Sequence, residues 1–336
     1  MIRLPPFTYV SPKTIDQAVR AVADAGPDAM LVAGGTDLYP NMKRRQFEPK
    51  TLVGLRAIGE LRGVRGSARD GIRVGACTTL TAVAMHPELA RAYEGLATAA
   101  GLVSTPQLRN MGTLGGNVCV DTRCNYYNQS YEWRKAIGFC MKKEGDICLV
   151  APSSPRCWAV SSSDTAPALW SLGARIRLVG PDGERTIPVG ALFNDDGIQY
   201  LTRRPDEILT EILLPPAAGW RSVYLKLRRR GAFDFPILGV AAAARFEGEV
   251  VREARIVLGA VASLPREATK AAQALVGQRL TTEVIEAAAD AAAGPARPLD
   301  NTDLTHPYRK KVTRVYVARA LARLAGLDQG PALETV

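Results

Sequence analysis

Apolar positions near the start of the chain change period within forty residues. Ile15, Ala18, Val19, Val22 and Ala23 recur at helical spacing; Thr14 precedes them, Gln17 stands three residues on, and Gly26 follows. A threonine cap, a glutamine at its third position and a glycine stop predict an amphipathic helix. The runs at 29–33 (AMLVA) and 51–55 are short, apolar and of strand length. Together these predict a β-α-β-like opening module. In the next region, 72–75 predicts a strand, Thr78 and Thr79 offer caps for a helix from Leu80, and 87–103 predicts one alanine-rich helix. Residues 107–117 (QLRNMGTLGGN) predict a glycine-rich loop, and 161–172 (SSSDTAPALWSL) a turn and helix. Pro181-Asp182-Gly183, between apolar runs at 175–179 and 186–189, predicts a hairpin. A strand at 207–214 stops at Pro215 and Pro216, and this diproline predicts a domain boundary. Beyond it come strands (223–227, 237–246, 254–262) and then helices (268–276, 282–292, 308–324), the order of an α+β domain. The tail from Asp328 is short and polar and is expected to fray.

The chain has 336 residues, too many for one ordinary core, so two or three domains are expected. Its 47% hydrophobic and 23% charged residues are ordinary for a globular protein in water. No apolar run approaches the roughly 18 residues a membrane span needs. The start, MIRLPPFTYV, does not read as a secretory leader. The expected location is the cytoplasm, with no membrane partner. There six cysteines argue against a disulfide framework. Only two histidines occur, His86 and His306, which disfavours a histidine metal site or a catalytic triad. The net charge of +10 has two readings: attraction to an acidic protein and to nucleotide phosphates, or a solvated arginine-rich surface. The densest basic stretch, 226–230 (KLRRR), continues the alternating SVYL before it. That predicts a strand end rather than a nucleic-acid arm, and no nucleic-acid partner is expected.

Two glycine turns carry candidate chemistry: Gly34-Gly35-Thr36-Asp37, after the AMLVA strand, and Gly112-Thr113-Leu114-Gly115-Gly116-Asn117. Glycine lets backbone come close to a phosphate and aim N–H groups at it, and Thr36 and Thr113 add hydroxyls. A pyrophosphate bridged by two such loops would need no Rossmann helix. Neither loop fits GxGxxG, and no P-loop occurs. Alone, each is equally readable as an ordinary turn.

AGGTDLYPNMK (33–43) with RNMGTLGGN (109–117) resembles the FAD-binding subunit of the molybdenum hydroxylases, the xanthine dehydrogenase and carbon monoxide dehydrogenase family. The resemblance extends to Ser163-Asp164 before a leucine-rich helix and to 226–234 (KLRRRGAFD). It implies an α+β protein with a vanillyl-alcohol-oxidase-type FAD-binding domain in two subdomains, 1–56 and 57–216, then a C-terminal α+β domain at 217–328 and a tail at 329–336. It further implies that Leu31, Val32, Ala33, Gly34, Gly35, Thr36, Asp37 and Leu38 wrap the FAD pyrophosphate. Gly112, Thr113, Gly115, Gly116 and Asn117 would form a second clamp. Asp164 would accept from the nucleotide, and Lys226 would lie near the isoalloxazine or the phosphates. Read from sequence alone, Asp164 is also a helix cap and Lys226 an exposed strand lysine.

In ordinary members of that family the second clamp runs almost directly into the Ser-x-x-x-Asp segment. Here about forty residues intervene, 121–160, and they hold Cys124, Cys140, Cys148 and Cys157, spaced C-x15-C-x7-C-x8-C. A loop this long within a compact domain is either functional or disordered. A metal centre would supply the order a small core cannot. Close C-x2-C pairs, which zinc favours, are absent. The wide spacing suits a [4Fe–4S] cluster, with zinc or plain thiols left open. Cys77 reads as a small buried hydrophobe, and Cys119 is assigned to the flavin-side scaffold. The insert resembles that of the 4-hydroxybenzoyl-CoA reductase branch, whose flavin subunit carries an additional [4Fe–4S] cluster on this loop. The resemblance implies electron flow from reduced ferredoxin through this cluster and FAD to the [2Fe–2S] and molybdenum subunits of the same complex. No residue of this chain need then be catalytic on the aromatic substrate.

Overall fold

Three sheets follow one another along the chain. The structure, a computed structural model, describes residues 3–327, so the tail expected at 329–336 lies outside the described residues. The opening module is β1 (Thr8–Val10), α1 (Ile15–Ala25), β2 (Ala29–Val32), α2 (Leu38–Lys43) and β3 (Thr51–Gly54), its strands parallel in the order β1-β3-β2. Thr14 caps α1 by accepting from the Gln17 N–H, and Gly26 closes it at φ 59°, a left-handed setting that suits glycine. Ala18, Val19 and Val22 are the buried stripe of the helix. β2 is an edge strand, so the chain leaving it is free to turn outward as the first glycine loop.

The second unit holds β4 (Val64–Ser67), β5 (Gly71–Gly75), α3 (Leu80–Met85), α4 (Pro87–Ala92), α5 (Glu94–Gly101), α6 (Pro106–Arg109), α7 (Leu114–Val118), α8 (Tyr131–Ala136), α9 (Thr165–Ser171), β6 (Arg175–Gly180), β7 (Gly183–Pro188) and β8 (Ile208–Leu214). Its antiparallel sheet runs β4-β5-β8-β6-β7. The single helix expected at 87–103 is two, broken at Tyr93 (φ −133°, ψ 49°). The break has a cause in packing. Tyr93 is buried and donates its hydroxyl to the Pro215 carbonyl at 2.7 Å, and α5 then starts against the third sheet, where the Gly95 N–H meets Ser222 Oγ at 3.1 Å. The glycine-rich stretch at 107–117, expected as a loop, folds into two one-turn helices, α6 and α7, each capped by a threonine.

The third unit holds β9 (Trp220–Leu227), β10 (Leu238–Glu247), β11 (Val250–Gly259), β12 (Arg266–Glu267), α10 (Thr269–Leu275), α11 (Thr282–Ala292) and α12 (His306–Leu324). Its sheet is antiparallel, β12-β11-β10-β9. β10 carries the run Ala241-Ala242-Ala243-Ala244, buried throughout. Val240, Ala242 and Ala244 join one core with α10, α11 and α12, while Ala241 on the other face joins Ala99 of α5, Ala168 of α9 and Tyr224. Side chains alternate along a strand, so a run of small residues lets helices approach both faces. This is how the third unit is fused to the second. The result is a two-part α/β unit followed by a sheet-and-helix domain. Among the described residues no helix is long and apolar enough to cross a membrane.

Candidate cofactor site

The two glycine loops touch. A Cβ placed on Gly34 would collide with the Met111 carbonyl oxygen and lie 3.0 Å from Gly112 Cα, and one placed on Gly112 would lie 3.5 Å from Thr36 Oγ1. Glycine at 34 is therefore a requirement of backbone against backbone. Gly35 takes φ +71°, and a Cβ there would strike the Tyr39 ring.

Their hydrogen-bonding states differ. In the first loop the backbone N–H groups of Gly34, Gly35, Thr36 and Asp37 find no acceptor among the described residues; the first amide drawn back into the fold is that of Tyr39, which bonds the Gly35 carbonyl. In the second loop all the amides but that of Thr113 are used. Gly112 donates to Leu108 O, Leu114 to Thr78 O, Gly115 to Ala76 O, and Asn117 to Thr113 O. Gly116 donates to Thr113 Oγ1 at 3.1 Å, so the threonine hydroxyl caps α7. Most donors of the second clamp that the resemblance implies are thus engaged within the fold, by the pairing around the Thr79–Thr113 bridge and by a one-turn helix. Asn117 has a different task from a loop glycine. Its Oδ1 accepts from Ser163 Oγ, Thr165 N–H and Thr165 Oγ1 at 2.7 to 3.1 Å, tying this loop to the start of α9.

Asp164 and Lys226 lie together as a buried pair. Lys226 Nζ donates to Asp164 Oδ2 at 3.0 Å, Leu102 O at 3.0 Å and Asp234 O at 2.9 Å. Tyr224 donates to Asp164 Oδ1 at 2.8 Å. All three ammonium donors are engaged, so in this structure Lys226 has none to offer a flavin. Burial pushes the Asp164 carboxyl up and the Lys226 ammonium down, and their mutual attraction opposes both shifts. The pair joins α9 to β9, that is, the second unit to the third.

The insert closes at its neck: Arg123 and Val160 exchange backbone hydrogen bonds of 2.8 and 2.6 Å. Cys124, Cys140, Cys148 and Cys157 all line one small cavity, walled otherwise by residues such as Tyr127, Met141, Val150 and Ala159. All four are buried, and Cys124, Tyr127, Cys157 and Ala159 are the insert's own small core. Among the described residues no three His, Cys, Asp or Glu side chains close around one point as a single ion would need. Cys157 Sγ accepts the Ala159 N–H at 3.4 Å, and the Cys124 carbonyl accepts the Tyr127 and Asn128 N–H groups at 3.0 and 2.8 Å. Burial pushes the Cys124 thiol up to about 11 and that of Cys157 up to about 12. Cys77 and Cys119 lie apart. Cys77 belongs to the core under α1, and Cys119 ends α7.

The insert is docked on three sides. Gln46 Nε2 donates to Tyr127 O at 2.5 Å, and Arg134 to Arg44 O at 2.8 Å, both just past α2. Asn125 N–H donates to Asn301 O, and Asn301 Nδ2 to Trp158 O, in the third unit. Thr122 Oγ1 donates to Gly197 O at 2.6 Å. At the neck, buried Arg123 is ion-paired with Asp37 at the end of the first glycine loop and stacks on Phe235 at 4.3 Å. Burial pushes its guanidinium down to about 10. One peptide bond then separates this contact with the glycine loop from Cys124. Neither the Arg123–Asp37 contact nor the buried Lys142 was among the expected site residues, because each depends on partners far away in sequence.

Comparison with known proteins agrees with this architecture. The family described as "FAD binding domain in molybdopterin dehydrogenase" matches residues 5–217, and "CO dehydrogenase flavoprotein C-terminal domain" matches residues 222–324. The carbon monoxide dehydrogenase medium chain of Hydrogenophaga pseudoflava is 30% identical over 321 residues, 94% of this chain and 96% of that one. The FAD-binding subunit of an aldehyde oxidoreductase from Escherichia coli (strain K12) is 31% identical over 268 residues, 77% of this chain and 82% of that one. A solved structure of the Hydrogenophaga pseudoflava carbon monoxide dehydrogenase aligns with TM-score 0.78 at 30% identity, covering 95% of this chain and 97% of that one. The chain therefore belongs to the family of FAD-binding medium subunits of the molybdenum hydroxylases.

Proposed function

We propose that this chain is the FAD and [4Fe–4S] electron-transfer subunit of a molybdenum-containing 4-hydroxybenzoyl-CoA reductase. One observation carries the finer part of this reading: four cysteines far apart in sequence line a single cavity, and the insert that holds them is ion-paired at its neck to the flavin-side glycine loop. A cubane cluster spreads its four thiolates, whereas zinc would draw them to within about 2.3 Å of one centre. Thiols lining a cavity wall suit the first arrangement better.

The residues divide the work. The open amides of Gly34 to Asp37 would bind the FAD pyrophosphate, with Thr36 Oγ1 as a further donor. The second loop, with Gly112, Thr113, Gly115 and Gly116, would hold the first from behind, and Asn117 would fix both to α9. Asp164 and Lys226 would act through the rigidity they give that wall. Cys124, Cys140, Cys148 and Cys157 would ligate the cluster, and the Ala159 N–H would hydrogen-bond the Cys157 sulfur ligand. A bound cluster passes electrons singly, and a flavin takes them singly or in pairs. Arg123 would keep the two centres in register.

In this reading a reduced ferredoxin feeds this subunit in the cytoplasm. The electrons leave for the [2Fe–2S] and molybdenum subunits of the complex, where the phenolic hydroxyl is removed to give benzoyl-CoA. The rival reading, a medium subunit that sends electrons outward to NAD or a quinone, leaves the four-cysteine cavity without a task. The deciding experiment is a visible spectrum of the anaerobically purified chain with iron, sulfide, zinc and flavin quantified. About four iron and four sulfide per flavin are expected. Zinc without sulfide, or no metal, removes the cluster and with it the reductase assignment, while leaving the flavin subunit in place.

A further inference from the structure

Lys142 is the one charged residue among those that line the cysteine cavity. Its side chain is 5% exposed. Three acceptors hold the ammonium: Asp121 Oδ1 at 2.7 Å, Thr122 Oγ1 at 2.5 Å and Gly197 O at 2.6 Å. Tyr127 lies 4.7 Å and Tyr200 5.6 Å from it as aromatic faces. Gly197 is itself pressed on the cluster side, since a Cβ there would lie 2.6 Å from Cys157 Sγ. A fixed, desolvated cation thus lines the cavity with the four cysteines and reaches Cys157 through Gly197.

We propose that Lys142 is the residue that sets the reduction potential of the centre held by Cys124, Cys140, Cys148 and Cys157. The inference rests on the cluster reading above and deepens it. Taking up one electron from a one-electron donor adds one negative charge to a cluster with four thiolate ligands, and no bond to a protein residue forms or breaks. A cation fixed in low dielectric stabilises the added charge more than a solvated one would. Three hydrogen bonds mean that Lys142 does not have to reorient when the charge arrives. Asp121 opposes it by partial neutralisation.

The test is a redox titration of the full chain, prepared anaerobically and followed by electron paramagnetic resonance, with iron and sulfide quantified on each sample. Lys142→Met is expected to keep its iron and to lower the midpoint so that the oxidised-to-reduced ratio at fixed poise rises about tenfold, about 59 mV for one electron. Lys142→Arg, which retains the charge, is expected within a threefold change of the unsubstituted chain. Asp121→Asn is expected to move the midpoint upward. An iron-loaded Lys142→Met with an unmoved midpoint overturns the proposal. If Lys142→Met does not load, Asp121→Asn decides: an unmoved or lowered midpoint overturns it. A chain that carries no iron and sulfide before any substitution fails at the cluster reading instead, so the two failures are told apart by composition.

Discussion

Two buried lysine–aspartate pairs can be laid side by side in this molecule. Lys226 and Asp164 are 1% and 2% exposed, Lys142 and Asp121 are 5% and 7% exposed. Each lysine spends its three donors on one carboxylate and two neutral oxygens. Their surroundings separate them. Lys226 is closed in by two backbone carbonyls and by the carboxylate of Asp164. Lys142 lines a cavity with four sulfurs. The difference teaches that a buried ion pair does not announce its purpose; what its cation faces does. Desolvation makes such a pair weak evidence for net stability, and removing one partner is costly in either case.

The largest effect sharpens the contrast. Lys226→Met leaves Asp164 charged and buried between α9 and β9. It is expected to lower unfolding stability by about 3–5 kcal/mol. The loss should be the same in iron-loaded and iron-free protein, measured by denaturant titration of both. A loss that depends on iron would tie Lys226 to the cysteine cavity and erase the distinction drawn here.

The glycine loops make the same contrast in backbone form: one has four open amides, the other has spent all but that of Thr113. Gly34→Ala would force a methyl group against the Met111 carbonyl and part the loops. Retention of FAD through gel filtration is expected to fall at least tenfold. Thr113→Val removes only the cap of α7 and should cost about 1 kcal/mol of stability. Its FAD dissociation constant should stay within threefold. If Thr113→Val releases FAD as readily as Gly34→Ala, the second loop is a direct clamp after all and the division of labour falls.

Much of the scaffold is legible locally. The Thr14 cap, the Gly26 stop, the hairpin at Pro181-Asp182-Gly183 and the helix at Thr282–Ala292 each depend on a few neighbouring residues, and each stands in the structure. The insert could be bounded because four cysteines mark it, and Arg123 and Val160 close it. What local pattern does not reveal depends on distance along the chain. The stop at Tyr93 answers to the Pro215 carbonyl, 122 residues on. The pairing of Arg123 with Asp37 and of Gln46 with Tyr127 spans more than eighty residues. Lys142 looks like any lysine in a basic segment until Asp121 and Gly197 are brought to it. Lys226 reads from sequence alone as an exposed strand lysine, yet it is buried with all of its donors engaged within the protein.

A third pair sets the lower end of the scale. Arg185 holds Glu207 with two parallel contacts, Nε to Oε1 at 2.7 Å and Nη2 to Oε2 at 2.8 Å, but Arg185 is 42% exposed. The Arg185 hydrogen bond is the largest influence on the Glu207 carboxyl and holds it below its ordinary value of 4.5. A lowered carboxylate stabilises the fold where it is ionised. The contribution is therefore complete at neutral pH and fades as the pH falls from about 4.5 through the lower folded value. Solvent around Arg185 screens the pair, so Glu207→Gln is expected to cost no more than about 1 kcal/mol at pH 7. The variant and the unsubstituted chain should converge in stability under acid, read from parallel urea titrations at pH 7 and pH 3. The same substitution logic at Asp164 should show no such small, graded loss, because Asp164→Asn leaves the Lys226 ammonium buried without its counter-charge. A cost at Glu207 comparable to that at Lys226 would mean that exposure, the variable separating this pair from the two buried ones, does not govern what an ion pair contributes in this fold.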